Sequence, residues 1–218
     1  MKTVDGTSIN NNISNMGKLN NLKLDITQIY PPLEDTKLLL KVALRVVKKT
    51  DWVLEVGTGS GVISQSIIEI TPHLLAIDIN PHSVQYVSSK GIPTIRGNLL
   101  DPIRSKFDLI LFNAPYLPTQ KEEKLNDWLE LALDGGVTGR EVIERFLPDA
   151  KDHLSPYGRI LLLVSSLTGL PEITLLCKKN GLICIIVDSE VMEDGEILYV
   201  LHISKDFCSL KLKNVKNQ

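Results

Sequence analysis

Glu55-Val56-Gly57-Thr58-Gly59-Ser60-Gly61 is the stretch on which the fold turns. Just ahead of it, Trp52-Val53-Leu54-Glu55-Val56 is short and almost wholly apolar, which predicts a buried strand. Gly61–Ile70 predicts a helix. Glycines permit φ > 0 and let a ligand come close to the backbone. The helix that follows offers unpaired N–H groups to an anion. The dinucleotide fingerprint Gly-x-Gly-x-x-Gly, started at Gly57, needs a glycine where Val62 stands, so it fails. The spacing here is Gly-x-Gly-x-Gly, preceded by Glu55 in the strand. A tight strand-to-helix turn without a ligand would read the same way.

The same strand–turn–helix pattern repeats outward. Leu74–Ile77 predicts a strand and Pro81–Lys90 a helix, with Asn80 as N-cap and proline at the first helical position. Pro93–Arg96 is a short strand and Phe107–Phe112 a strong one, followed by Ala114–Val137 without a clear strand. Thr138–His153 is helical, with Glu141 and Arg145 spaced for an i,i+4 pair. Arg159–Val164, Leu182–Asp188 and Ile197–Ile203 predict strands, and Leu170–Lys179 a helix. Leu33–Lys49 is a helix introduced by Pro31-Pro32. Apolar strands alternating with helices imply an α/β fold whose parallel sheet is covered on both faces. Only the eight residues Ser189–Glu196 join the last two strands, too few for a crossover helix. They predict an antiparallel hairpin turning at Glu193-Asp194-Gly195. Residues 1–22 read as a flexible leader, 23–204 as the folded domain and 205–218 as a basic tail carrying Lys211, Lys213 and Lys216.

Composition bounds the function. A chain of 218 residues is one domain by size and folds without disulfides or metal. With 24 Lys+Arg against 26 Asp+Glu, the net charge of −2 argues against a dedicated nucleic-acid binder. Cys177, Cys184 and Cys208 form no Cys-x-x-Cys pair and read as free thiols of a reducing, cytoplasmic compartment rather than metal ligands. No apolar run approaches the roughly 20 residues of a membrane span, and the Asn-rich start is no secretory signal.

The candidate site lies at strand ends, where open α/β sheets bind ligands. Asp78 ends the second strand, and its carboxylate can accept both ribose hydroxyl protons. Asn98, after the third, can accept from an adenine amino group, with the Leu99 backbone N–H beside it. Read alone, Asp78 could equally be an acid at a helix start and Asn98 a turn asparagine. Together, Glu55, Gly57, Thr58, Gly59, Gly61, Asp78 and Asn98 mark three successive strand tips. The turn, the acid and the terminal hairpin resemble the class I S-adenosylmethionine-dependent methyltransferases over about Asp51–Ile203. That resemblance implies a Rossmann-like sheet of seven strands with the last antiparallel. It also implies S-adenosylmethionine as cofactor, its methionine part over the glycine turn and its ribose on the acid.

Asn113-Ala114-Pro115-Tyr116 directly follows the strand at Phe107–Phe112. The Asn113 side-chain oxygen accepts hydrogen bonds. Pro115 biases Ala114 toward an extended conformation that can turn its carbonyl into a pocket. Two acceptors then converge on one planar –NH2 group, and Tyr116 offers a ring for packing. Acceptors on both N–H groups orient a poorly nucleophilic amide nitrogen and favour the positive charge that develops as a methyl group arrives. Without a ligand, this is a proline turn ending a strand. The segment resembles the Asn-Pro-Pro-Tyr motif of amino-methyltransferases acting on glutamine side chains or on adenine and cytosine amino groups. Ala114 departs from it, at a position that contributes a backbone carbonyl.

Two more segments resemble the HemK-like protein glutamine methyltransferases. Tyr30-Pro31-Pro32-Leu33-Glu34-Asp35-Thr36 resembles their Pro-x-Glu-Asp-Thr lead-in, which implies that Thr36 lies near the cofactor. Leu133–Leu147 resembles their Gly-Gly-x-x-Gly-Arg-Glu-Val segment. A calcium loop counted from Asp134 fails, because Gly136, Thr138 and Arg145 fall on ligand positions. The short stretch before the first helix resembles the archaeal and eukaryotic branch of this family. For that branch the implied substrate is the glutamine of the Gly-Gly-Gln motif in the class-1 translation termination factor. The implied partner is a small zinc-binding activator that adds a strand to a sheet edge, here at Gly91-Ile92-Pro93-Thr94-Ile95-Arg96. Proline suits an edge strand. Methylation of adenine in DNA or RNA, methylation of a protein lysine, and a non-catalytic S-adenosylmethionine-binding scaffold remain as alternatives.

Overall fold

The computed structural model describes residues 22–119 and 127–206. In chain order the elements are α1 (Glu34–Val46), β1 (Val53–Val56), α2 (Val62–Ile68), β2 (Leu74–Asp78), α3 (Pro81–Ser89), β3 (Thr94–Arg96) and β4 (Phe107–Asn113). Then come α4 (Trp128–Leu131), α5 (Glu141–Asp152), β5 (Leu154–Ser165), α6 (Leu170–Lys179), β6 (Ile183–Val191) and β7 (Ile197–Ser204). The strands form one sheet in the order β3-β2-β1-β4-β5-β7-β6. β7 runs antiparallel to both β5 and β6, so it is the one reversed strand of the sheet.

The apolar runs follow from burial on both faces. Along β4, Ile110 and Phe112 point into one layer with Ile143, Phe146 and Leu147 of α5. Leu109 and Leu111 point into the other with Leu38, Leu39 and Val42 of α1 and Ile63 and Ile67 of α2. The period-2 geometry of a strand puts neighbours on opposite faces, so both must be apolar. The Phe112 and Phe146 rings meet at 4.7 Å and 57° and anchor the first layer; truncating either to alanine costs about 3–5 kcal/mol.

One buried charge cluster ties the strand starts together. The Arg159 guanidinium donates to Asp51 Oδ2 at 2.6 Å, to the Val46 carbonyl at 2.7 Å and to the Asp108 carbonyl at 2.9 Å. It thereby joins the end of α1, the approach to β1, and β4 to β5.

Asn80 caps α3 as expected, its side chain accepting from His82 N at 2.9 Å. The hairpin turns at Gly195, which has φ 89° and donates to the Met192 carbonyl at 3.0 Å. β3 lies at the sheet edge, and Pro93 stands just before it. β5 begins at Leu154, earlier than Arg159, and pairs with Phe107 before a register shift. α5 starts at Glu141 rather than Thr138, because Glu141 turns back to accept from Val137 N at 3.0 Å. That bond replaces the expected Glu141–Arg145 pair and leaves Arg145 to the cavity wall described below. The stretch Ala114–Val137 holds no strand among its described residues, only α4 and a single bridge between Leu117 and Asp134. Among the described residues no helix is long and apolar enough to cross a membrane. The leader up to Asn21, the tail from Phe207 and Cys208 lie outside the described residues.

Candidate active site

The glycine turn is built by left-handed backbone. Gly57, Gly59 and Gly61 have φ of 65°, 51° and 74°. A Cβ on Gly61 would sit 2.7 Å from Val87 Cγ2, so close packing of α2 on α3 also requires glycine there. Gly57 N donates to the Ile77 carbonyl at 2.8 Å, which locks the turn to the end of β2.

Asp78 completes that lock. Its Oδ2 accepts from Gly59 N and its Oδ1 from Asn80 N, each at 2.8 Å. The carboxyl is 8% exposed, and burial pushes its pKa up against these lowering hydrogen bonds. A carboxylate has about four lone-pair directions, so both oxygens retain room for a hydroxyl donor.

Glu55 does different work from that expected of a cofactor ligand. It is buried, accepts from Thr58 Oγ1 at 2.9 Å, and accepts a second bond from Ser64 Oγ. Burial raises its pKa to about 7 despite those two bonds. Glu55 therefore braces the turn against the first turn of α2 from behind.

Above the turn is a cavity of about 220 Å³. Gly57, Gly59, Asp78, Asn98, Leu99, Asn113 and Pro115 all line it. Leu99 is the single non-glycine residue with positive φ (50°) among those described. Backbone held in this sparsely populated region is concentrated at ligand sites. Glu55, Thr58, Gly61, Thr36, Ala114 and Tyr116 are not on the cavity wall. Thr36 is buried, its hydroxyl on Asp35 Oδ1 at 3.2 Å, and Ala114 is buried below the turn. Tyr116 is half-buried among α1-side residues. Burial, and then the charges of Asp35, Glu196 and Asp194, raise its hydroxyl pKa.

Asn113 ends β4 with an unusual arrangement. Its Nδ2 donates to Asp35 Oδ2 at 3.0 Å, while its Oδ1 is buried and has no partner. Tyr30 Oη donates to the same Asp35 oxygen at 2.9 Å. A buried acceptor left unmade costs about 1–3 kcal/mol, which is tolerated where a ligand donor completes it.

Sequence reasoning missed Tyr30, Asp35, Gln28 and Arg145. Gln28 joins two cavity walls: its carbonyl accepts from Asn80 Nδ2 at 2.7 Å, and its Oε1 accepts from Trp128 N at 3.0 Å. Arg145, with Val142, lines the cavity from α5. The signal for Tyr30 and Asp35 lay in the Tyr30–Thr36 segment.

The sheet order and the single reversed strand β7, with a cavity over the glycine turn, are the arrangement of the class I methyltransferases, to whose solved members the fold is similar. No family model matches the chain. It is 38% identical over 152 residues to a Methanocaldococcus jannaschii protein named for N5-glutamine methyltransferase activity, covering 66% of this chain and 76% of that one. It is 34% identical over 172 residues to Homo sapiens methyltransferase HEMK2, covering 72% of this chain and 80% of that one. Among solved structures it is similar to the E. cuniculi Mtq2-Trm112 complex responsible for methylation of the eRF1 translation termination factor. That match has a TM-score of 0.69 and 27% identity, covering 82% of this chain and 99% of that one. The chain belongs to the protein N5-glutamine methyltransferase family.

Proposed function

We propose that this protein transfers a methyl group from S-adenosylmethionine to the side-chain amide nitrogen of the glutamine in the Gly-Gly-Gln motif of a class-1 translation termination factor. The observation that carries the reading is that Asn113, which lines the cavity, keeps its Oδ1 buried and unpartnered. An amide –NH2 is the donor it lacks. The Mtq2-Trm112 neighbour, named for eRF1 methylation, supports the choice of substrate.

The cavity residues fit the cofactor. The Asp78 carboxylate would hold the ribose hydroxyls. Gly57 and Gly59 leave the backbone bare against the methionine part. Asn98 and the Leu99 N–H would meet the adenine. When bound, the cofactor would supply a sulfonium methyl, its S–C bond breaking with the electron pair left on a neutral thioether as the N–C bond forms, and the nitrogen's proton would pass to solvent water. Asn113 Oδ1 would accept from an amide N–H, favouring the charge that develops on nitrogen, whereas the buried Ala114, off the cavity wall, is left without the carbonyl role expected of it. Holding the amide in line with the methyl group supplies the positional part of catalysis. Tyr116, beside Asp35 and off the cavity wall, packs the loop. Glu55 and Thr36 support the walls.

A small zinc-binding activator would pair with the edge at Gly91–Arg96. The exposed edge position of β3 supports this, as does the two-protein assembly of the solved relative.

Mass spectrometry of purified termination factor, incubated with this protein and labelled cofactor with and without such a partner, tests the reading. The expected result is one methyl group on the Gly-Gly-Gln glutamine. Asn113→Ala should lower turnover by about 10²-fold or more, the scale for a lost transition-state hydrogen-bond partner, while cofactor still binds. Unchanged turnover would remove Asn113 from the assigned role.

A further inference from the structure

Asn113 can aid the reaction only if its oxygen faces the substrate. An asparagine amide is two-fold ambiguous: rotated by half a turn about its last torsion, it presents –NH2 instead. Two –NH2 groups facing each other would repel the substrate amide. Something must therefore select the rotamer, and the selector is visible. Asp35 is 4% exposed and stands 78 positions earlier in the chain. Its Oδ2 accepts from Asn113 Nδ2 at 3.0 Å and from Tyr30 Oη at 2.9 Å. Its Oδ1 accepts from the backbone N–H and the hydroxyl of Thr36. A carboxylate offers only acceptors, so the Asn113 –NH2 must face it and Oδ1 must face away.

We infer that Asp35 is a positioning residue for methyl transfer, setting the orientation of the Asn113 amide. This rests on the proposed glutamine methylation. Thr36 and Tyr30 hold the carboxylate in turn, so the lead-in segment serves substrate orientation as well as placing acids in the first turn of α1. The carboxylate also lies one hydrogen bond behind Asn113, where its charge favours the cationic nitrogen of the transition state.

The test exchanges the two side chains. Asp35→Asn allows the Asn113 amide to turn over, because an amide can also donate to Asn113 Oδ1. It should lower kcat by about 10²-fold, the scale of a misplaced transition-state partner, with KM for the termination factor and cofactor affinity nearly unchanged. Asn113→Asp places two carboxylates together and should be at least as slow. The exchanged pair Asp35→Asn/Asn113→Asp again presents an acceptor to the substrate, with the same atoms and net charge. It should run at least about tenfold faster than Asn113→Asp alone, the signature of coupled rather than independent residues. A kcat for Asp35→Asn within twofold of wild type, or an exchanged pair no faster than Asn113→Asp, would overturn the inference.

Selective ¹⁵N labelling of wild-type asparagine provides a readout independent of activity and of variant folding. One Asn113 side-chain amide proton should exchange with solvent at least about tenfold more slowly than its geminal partner, as a buried hydrogen bond requires. Equal exchange would overturn the assigned orientation. If wild-type protein fails to methylate the termination factor, the glutamine reading falls, while this exchange measurement still decides whether Asp35 orients Asn113.

Discussion

Asp78 bears the most on cofactor affinity, and its replacement tests the cavity reading most directly. Each of its oxygens already accepts a backbone N–H at 2.8 Å, from Gly59 and from Asn80. Asp78→Asn keeps the volume but replaces one acceptor by –NH2, which must then face one of those N–H groups. The variant loses a turn bond and a ribose acceptor together. A hydrogen bond to a charged group contributes about 1.5–3 kcal/mol; the lost ribose acceptor therefore weakens cofactor binding by about that much, while the lost turn bond acts on stability. At about 1.4 kcal/mol per tenfold, Kd should rise by about 10- to 10²-fold. Burial pushes the Asp78 pKa above the ordinary aspartate value. Wild-type affinity should therefore fall on acidification, beginning at higher pH than for an ordinary aspartate, as the carboxyl gains a proton and loses acceptor capacity. Isothermal calorimetry with S-adenosylmethionine and with the demethylated product, across pH, reads both effects. A Kd within twofold of wild type, in a variant whose circular dichroism shows it folded, would refute the assignment of Asp78 to the ribose.

Gly61→Ala should destabilise the fold by about 1–2 kcal/mol from left-handed backbone alone, and by more because the new Cβ would meet Val87 at 2.7 Å; urea unfolding checks this. Arg159→Met leaves the buried Asp51 carboxylate without its ion-pair partner and should cost about 3–5 kcal/mol in the same measurement. His202 is buried without hydrogen bonds on either ring nitrogen, and burial followed by nearby Arg159 lowers its pKa to about 4. The unfolded chain therefore takes up that proton first as pH falls, so stability drops between about pH 6.5 and pH 4. His202→Phe should abolish this contribution, gaining on wild type by about 2 kcal/mol between pH 7.5 and pH 5. An identical pH profile for the two proteins would show that His202 does not titrate on unfolding.

Some of this structure was legible because local chemistry and tertiary placement agree. β1 and β4 read as strands because both faces of each are covered, so Val53, Leu54 and Val56 and the run Leu109–Phe112 had to be apolar. Asn80 before Pro81 reads as a cap because capping is settled within one turn. Glu55 shows where that agreement ends. An acid in the strand before a glycine turn suggests a ligand contact, yet here its partners are the hydroxyls of Thr58 and Ser64, which no spacing rule selects over a cofactor. Arg145 is the converse. Its helical spacing suggests a solvated ion pair with Glu141, but Glu141 is taken by Val137 N and Arg145 faces the cavity. Asp35 is the most instructive residue. An aspartate in the first helical turn satisfies the helix dipole wherever it points, so sequence offers no reason to look further. The role inferred for it depends on meeting Asn113 across 78 positions, a contact made only when α1 packs on the sheet at β4. Orientation of an amide is decided by its neighbour, and the neighbour is a property of the assembled fold. On the proposed function, the Asn-Ala-Pro-Tyr turn marks where the substrate amide would bind, while Asp35 in the lead-in segment sets which atom of Asn113 would face it.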